Sequence, residues 1–390
     1  MNTLLYSGFY DMNTEKYPFE VDPNFFYLTS CDLPNVLVLN ISKKYYVCIE
    51  LLDNKWYDTS YFMTALQHCF HAEIIQFKDI LKLLHKQKDI HTLPNIVTHP
   101  RWNQLKRLVM DMSSIPTKLS KKREIKFIDE QTNITTACKY TSEAIKHILK
   151  NSYPGMSQIE LVGLFKQSIS NHGIQELSFN PITSHGKYNQ YLHYIAKDRP
   201  VTKGSLVLLD LGCKHNHYCS DISRCFPISG KFTQLQKDIY TIVLKALTYA
   251  LTLMKPGKHW NDITHKVLLK LYDGCLNIQL VKLLTSDESK IQLMKLFMPH
   301  SLGHHVGLDN HDCGPISVLK KDMVVAVEPG IYFQSKVTSP HINMTVWKKY
   351  EHLGGIRLED TIIITDKGHR NLSKITKTIN GIEKLMDTII

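Results

Sequence analysis

LVLLDLGCKHNHYCSDISRCF, running from Leu206 to Phe226, sets two β-prone runs on either side of a polar tip, Lys214-His215-Asn216-His217. The pattern predicts an antiparallel hairpin. A turn centred between His215 and Asn216 makes Asp210 and Asp221 direct cross-strand neighbours on one face, with Cβ atoms ~5 Å apart. Like charges so placed are destabilising unless a cation lies between them. Asp210 follows the apolar run Leu206-Val207-Leu208-Leu209, which sets it at the edge of a core rather than in open solvent. A divalent metal is therefore favoured over two solvated acids.

Two further stretches supply matching chemistry. Met298 to Asp312 (MPHSLGHHVGLDNHD) holds four histidines and two glycines. His300 and His304 have the spacing of a helical zinc pair, but Ser301 stands where a general-base Glu would be needed. Gly303 and Gly307 argue for a loop or strand, and His305 reads as an ordinary satisfied histidine. Glu328 closes the apolar run Met323 to Val327, where a carboxylate is costly without a partner. Glu359 follows Gly-Gly-Ile-Arg-Leu and opens the run Thr361 to Thr365. For each glutamate taken singly, a surface ion pair is the plain alternative. Together Asp210, Asp221, His304, Glu328 and Glu359 suit two Mn²⁺-like ions better than thiolate-bound structural zinc.

The flanking sequence reads as paired helices. Ile134, Ala137, Thr141, Ala144 or Ile145, and Ile148 step by three and four, and Pro154-Gly155 ends that helix. Ser157 and Glu160 form a capping box for the next, with Gly173 as its stop. The plan recurs later: Tyr240 to Met254, the breaker Pro256-Gly257, then Trp260 to Tyr272 with Gly274 following. Strands are expected at Leu206 to Leu211, Tyr218 to Phe226, Met323 to Val327 and Thr361 to Thr365. The first third reads as a small α/β domain. Its β-prone runs are Phe25 to Thr29, Asn35 to Asn40 and Tyr45 to Leu52, the last two joined by Ile41-Ser42-Lys43-Lys44, and a helix is expected over Phe77 to His85. The polar stretch Ser113 to Lys122 marks the boundary between residues 1–115 and 116–390.

A chain of 390 residues, 43% hydrophobic and 21% charged, is consistent with two soluble globular domains. No apolar run approaches the ~20 residues of a membrane span. Nine cysteines without a Cys-x-x-Cys pair argue against a disulfide framework, and a cytoplasmic location is expected. The net charge of +11 comes from scattered basic pairs. Only Lys118, Lys121, Lys122, Arg123 and Lys126 cluster, and without interleaved aromatics they predict no nucleic-acid site.

The ordered motifs LHY (Leu192 to Tyr194), LLDLG with SDISRCFPISGKFT (Leu208 to Thr233), MKPG (Met254 to Gly257), MPHSLGHHVGLDNHD, EPGIYF (Glu328 to Phe333) and GGIRLED (Gly354 to Asp360) resemble those of the prolidase and aminopeptidase P family. The N-terminal third, through NFFYLTSCDLPNVLVL (Asn24 to Leu39), resembles the accessory domain of these enzymes. The resemblance implies an α+β pita-bread catalytic domain over 116–390 behind a smaller α/β domain. It implies Asp210, Asp221, His304, Glu328 and Glu359 as ligands of two divalent ions, expected to be Mn²⁺. Glu328 would also be the general base, His193, His300 and His311 would contact substrate, and Arg357 would stand beside the metals. The implied activity is hydrolysis of Xaa-Pro dipeptides. Alternatives are an Xaa-Pro aminopeptidase acting on longer peptides and a non-catalytic peptide-binding relative. A homodimer is implied as well. Two departures stand out: Phe179 replaces a family Tyr that touches a metal ligand or the attacking water, and Ser184 to Asn189 replaces an SGEN-like loop. Prolidases also carry a carboxylate-gripping Arg after the His-Asp motif, and no Arg lies between Asp312 and Met323; Lys320 or Lys321 is the available substitute.

Overall fold

The computed structural model describes residues 2–9, 19–49, 72–109 and 111–387. They divide into two compact units, Met1–Lys122 and Arg123–Ile390. The first is built on a five-stranded mixed sheet, in the order Glu73–Ile74, Lys44–Ile49, Val36–Ile41, Asn2–Tyr6, Ile90–Thr92. Ser42 and Lys43 turn its central hairpin with φ of 51° and 70°, the left-handed pair that matches the twist of a two-residue hairpin. The helix Phe77–Leu84 buries Phe77, Ile80 and Leu84. The expected strand at Phe25 to Thr29 is instead the helix Pro23–Thr29. Asp22 caps it, Oδ1 accepting from the backbone N–H of Asn24 and Phe25, and Pro23 occupies the first turn where no N–H is needed. Local capping thus overrides the β-propensity of the aromatic run. Residues 50–52 of the run Tyr45 to Leu52 lie outside the described residues.

The second unit repeats one plan twice. Helices Ile128–Asn151 and Gln158–Ser170 precede the sheet Ile182–His185, Leu206–Leu211, Ile222–Pro227, whose middle strand is Leu206–Leu211. Helices Gln234–Leu253 and Trp260–Asn277 precede the sheet Val324–Val327, Asp360–Ile364, His369–Asn371, whose middle strand is Asp360–Ile364. At each Pro-Gly breaker the glycine takes a positive φ, 100° at Gly155 and 81° at Gly257, so the chain reverses where a side chain would be strained. Ser157 and Glu160 form the capping box.

Gly274 does not end its helix but lies within it. A Cβ there would stand 2.5 Å from Cγ2 of Ile242 on the neighbouring helix, so the glycine admits a close helix crossing. Gly274→Ala is expected to lower stability by about 1–3 kcal/mol through overpacking, read as a lower urea midpoint at unchanged slope.

The hairpin of the second unit differs from expectation in register. Its turn is Asn216-His217, with φ of 47° and 69°. Lys214 therefore pairs with Cys219, and Asp210 pairs with Ser223 rather than Asp221. The displacement is two residues, and because strand side chains alternate, Asp221 still faces the same side as Asp210. The two sheets adjoin at this point, where the Glu359 N–H donates to the Ser223 carbonyl at 3.1 Å.

Candidate active site

Four carboxylates converge from strand ends. Asp210 lies in Leu206–Leu211, Asp221 precedes Ile222–Pro227, Glu328 follows Val324–Val327, and Glu359 precedes Asp360–Ile364. His304 arrives on an irregular segment laid antiparallel along Val324–Val327. Ala326 N–H donates to the His304 carbonyl (2.9 Å), Val306 N–H to Val324 (3.0 Å) and Glu328 N–H to Leu302 (2.8 Å). Gly303 permits that approach, since a Cβ there would overlap the Ala326 carbonyl oxygen. The helical zinc pair is thus excluded, and all five expected ligands line one cavity of about 630 Å³ with His193, His300, His311 and Arg357.

His304 Nδ1 donates to the His305 carbonyl at 2.9 Å, so Nε2 is the ring nitrogen turned to the carboxylates. That atom stands 3.3 Å from Asp221 Oδ2 and 3.8 Å from Glu328 Oε1. Ligand atoms of Asp221, His304 and Glu359 fall within 4.8 Å of one another. Three carboxylates share a further pattern. One oxygen of each is held by a protein donor: Arg357 Nη2 to Asp210 Oδ2 at 2.7 Å, Asn310 Nδ2 to Asp221 Oδ2 at 2.8 Å, Ser223 Oγ to Glu359 Oε2 at 2.8 Å. The other oxygen of each is buried without a hydrogen bond. Buried unpaired carboxylate oxygens are costly unless a cation meets them. Burial and mutual repulsion push Asp221 and Glu359 well above the usual carboxylate range and Glu328 up to about 8. The donor set, four carboxylates and one imidazole, fits hard or borderline divalent ions.

Supporting contacts complete the centre. Arg357 also donates to Tyr332 Oη (2.9 Å) and Ser223 Oγ (3.0 Å). His300 Nδ1 donates to the Ser301 carbonyl at 2.8 Å, so its Nε2 accepts from Tyr332 Oη at 3.0 Å. Burial, then the Arg357 charge, lowers His300 to about 4, which keeps this tautomer neutral. His311 packs its ring 4.1 Å from that of His304, and His193 sits at the exposed rim. Ser223, Asn310 and Tyr332 carry no role in the sequence reading. All three fall inside quoted motifs, but their partners lie 136, 89 and 25 residues away.

The basic cluster near the domain boundary is not one surface. Arg123 and Lys126 are buried against Asp312, and only Lys118, Lys121 and Lys122 remain exposed. Lys320 pairs with Glu124 at 3.0 Å and Lys321 with Asp366 at 2.9 Å, and neither lines the cavity.

The model of metallopeptidase family M24 matches residues 132–366, more than half of the chain and the span that holds Asp210, Asp221, His304, Glu328 and Glu359. The chain belongs to metallopeptidase family M24. A probable Xaa-Pro aminopeptidase of Metarhizium acridum (strain CQMa 102) is 32% identical over 301 residues, covering 70% of this chain and 60% of that relative. The Xaa-Pro aminopeptidase of Escherichia coli (strain K12) is 33% identical over 270 residues, covering 68% of this chain and 59% of its own length. The chain thus spans about three fifths of the length of these curated relatives. The structure of E. coli aminopeptidase P with the inhibitor Pro-Leu superposes with a TM-score of 0.86 at 26% identity, over 99% of this chain and 94% of that one. The M24 chain therefore has the expected mixed helix-and-sheet architecture, a pita-bread unit preceded by a smaller α/β unit.

Proposed function

We propose that this M24 peptidase removes the N-terminal residue from peptides whose second residue is proline, using two divalent ions, Mn²⁺ in the cell, held by Asp210, Asp221, His304, Glu328 and Glu359. The observation that carries the choice of substrate length is the cation content of the cavity. Among its described lining residues the only guanidinium or ammonium is Arg357, already committed to Asp210, Tyr332 and Ser223. A dipeptide would bring a carboxylate to this cavity with no guanidinium or ammonium among the described lining residues left to meet it. The Lys320 or Lys321 substitute is paired elsewhere. A longer peptide brings a neutral amide there instead. The cavity lining also includes Phe179, Ile182, Leu192, Tyr194 and Ile195, apolar surface suited to a proline ring.

Bound ions supply Lewis acidity and activate water at neutral pH. The protein's own groups do the rest. Glu328 takes the proton from the attacking water and returns it to the departing proline nitrogen. His311 and His193 present N–H groups to the scissile carbonyl oxygen as charge develops on it. Arg357 holds Asp210 through a charge-assisted bond, and His300 fixes the Tyr332 hydroxyl on which Arg357 also rests.

Hydrolysis of Gly-Pro, Gly-Pro-amide and a longer Xaa-Pro peptide in Mn²⁺ tests the reading. The amide and the longer peptide are expected to be cleaved with kcat/KM at least about tenfold above Gly-Pro, the cost of about 1.4 kcal/mol for an unmet carboxylate. Cleavage of Gly-Pro alone would establish a dipeptidase instead, and no turnover with metal bound would point to a binding role.

A further inference from the structure

Asp221 differs from its neighbours in what holds it. Asp210 is gripped by a guanidinium and Glu359 by a serine hydroxyl, whereas Asp221 Oδ2 is held by the side-chain amide of Asn310 at 2.8 Å. Because an ionised carboxylate only accepts, the amide must present its nitrogen. His304 Nε2 stands farther off, 3.3 Å from the same oxygen, while its Nδ1 is spent on the His305 carbonyl. The Asn310 amide is the shorter of the two contacts to Asp221 Oδ2 and the one whose donor does not depend on protonation.

The segment carrying Asn310 is itself anchored on both sides. Asp309 accepts from Arg123 Nη2 at 3.1 Å, and Asp312 is bound by the same guanidinium and by Lys126 Nζ at 2.9 Å. Arg123, Lys126 and Asp312 are 5%, 2% and 2% exposed. A buried ionic anchor brackets Asn310 and presents it to a carboxylate 89 residues earlier in the chain.

We infer that Asn310 is a positioning residue of the metal centre: its amide fixes one oxygen of Asp221 so that the other, buried and unpaired, is turned to a divalent ion. It does for Asp221 what Arg357 does for Asp210 and Ser223 for Glu359. The inference rests on the metal reading above. Loss of a partner that orients a ligand costs about 10–100-fold in metal affinity, and Asn310→Leu removes the donor at nearly constant volume.

The test is calorimetric titration of Mn²⁺ into chelator-stripped full-length protein, wild type and Asn310→Leu, with the metal-free thermal midpoint as the folding control. Mn²⁺ affinity is expected to fall about 10–100-fold in Asn310→Leu while the metal-free midpoint stays within the range of an ordinary surface substitution. In an Asp221→Asn background, adding Asn310→Leu is expected to change the remaining affinity by less than about twofold, because the residue acts through Asp221. If the leucine variant does not fold, Asn310→Ser, too short to reach Asp221, replaces it with the same expectation. Unchanged affinity in the folded variant, or an equal loss in the Asp221→Asn background, overturns the inference. A wild type that binds no Mn²⁺ overturns the metal reading beneath it.

Discussion

Asp221→Asn is expected to abolish peptide hydrolysis and, in the same molecule, to raise the thermal midpoint of the metal-free protein. The two effects have one cause. Without metal, Asp221 is buried among like charges, and its carboxyl is pushed up by burial first and by Asp210 and Glu328 next. An amide removes a buried negative charge and still accepts from Asn310, so the metal-free fold gains. Each kcal/mol recovered raises the midpoint by about 2–4 °C in a domain of this size. With metal, the same change removes a charged ligand. Activity should fall by more than the roughly 100-fold that losing a mere supporting partner costs. Scanning fluorimetry with chelator and with Mn²⁺, beside an activity assay, reads both. A variant that stays active, or a metal-free midpoint that drops, would break the link between repulsion and ligation.

Asp312→Ala carries the largest expected loss of stability. Lys126 and Arg123 are buried against this one carboxylate, whose own pKa their charges pull below the usual range despite its burial. Truncation takes from Lys126 its carboxylate and leaves Arg123 with Asp309, and removing one partner of such a buried cluster costs about 3–5 kcal/mol. Urea unfolding should show it as a lowered midpoint. Replacing Asp312 by Leu together with Lys126 by Met, which leaves Arg123 to Asp309, should recover part of the loss, since apolar substitutes for a whole buried pair are often neutral. Equal destabilisation by the single and double variants would mean that packing, not charge, holds this corner.

The contrast between what local sequence showed and what it concealed has a physical pattern. The gathering of Asp210, Glu328 and Glu359 was legible because each is an acid at the border of an apolar run, where an unpaired charge is costly, and Asp221 was legible from its place opposite Asp210 in the hairpin. The helix of Ile134 to Ile148 was legible from its spacing. The helix at Pro23 was missed although Asp22-Pro23 is a start signal, because the aromatic run outweighed it. The hairpin register depended on which two residues took left-handed dihedrals, and Asn216-His217 is not a pair that composition singles out. Gly274 looked like a helix stop because its reason, Ile242 on another helix, is a tertiary contact. Asn310, Tyr332 and the Lys126–Asp312 pair gain their meaning only from distant chain, and no local spacing encodes that.

The hairpin register also limits how this part of the chain tolerates change in length. Between Asp210 and Asp221 the backbone folds back through Asn216-His217, and both acids face one side because the count along each strand preserves their parity. Residues added at the tip only lengthen a loop, whose closure costs about 0.6 kcal/mol for each doubling. One residue added inside either strand, between an acid and the tip, turns that acid to the opposite face unless a bulge absorbs it. Insertions and deletions here should therefore be graded by whether they are odd or even before they are graded by size.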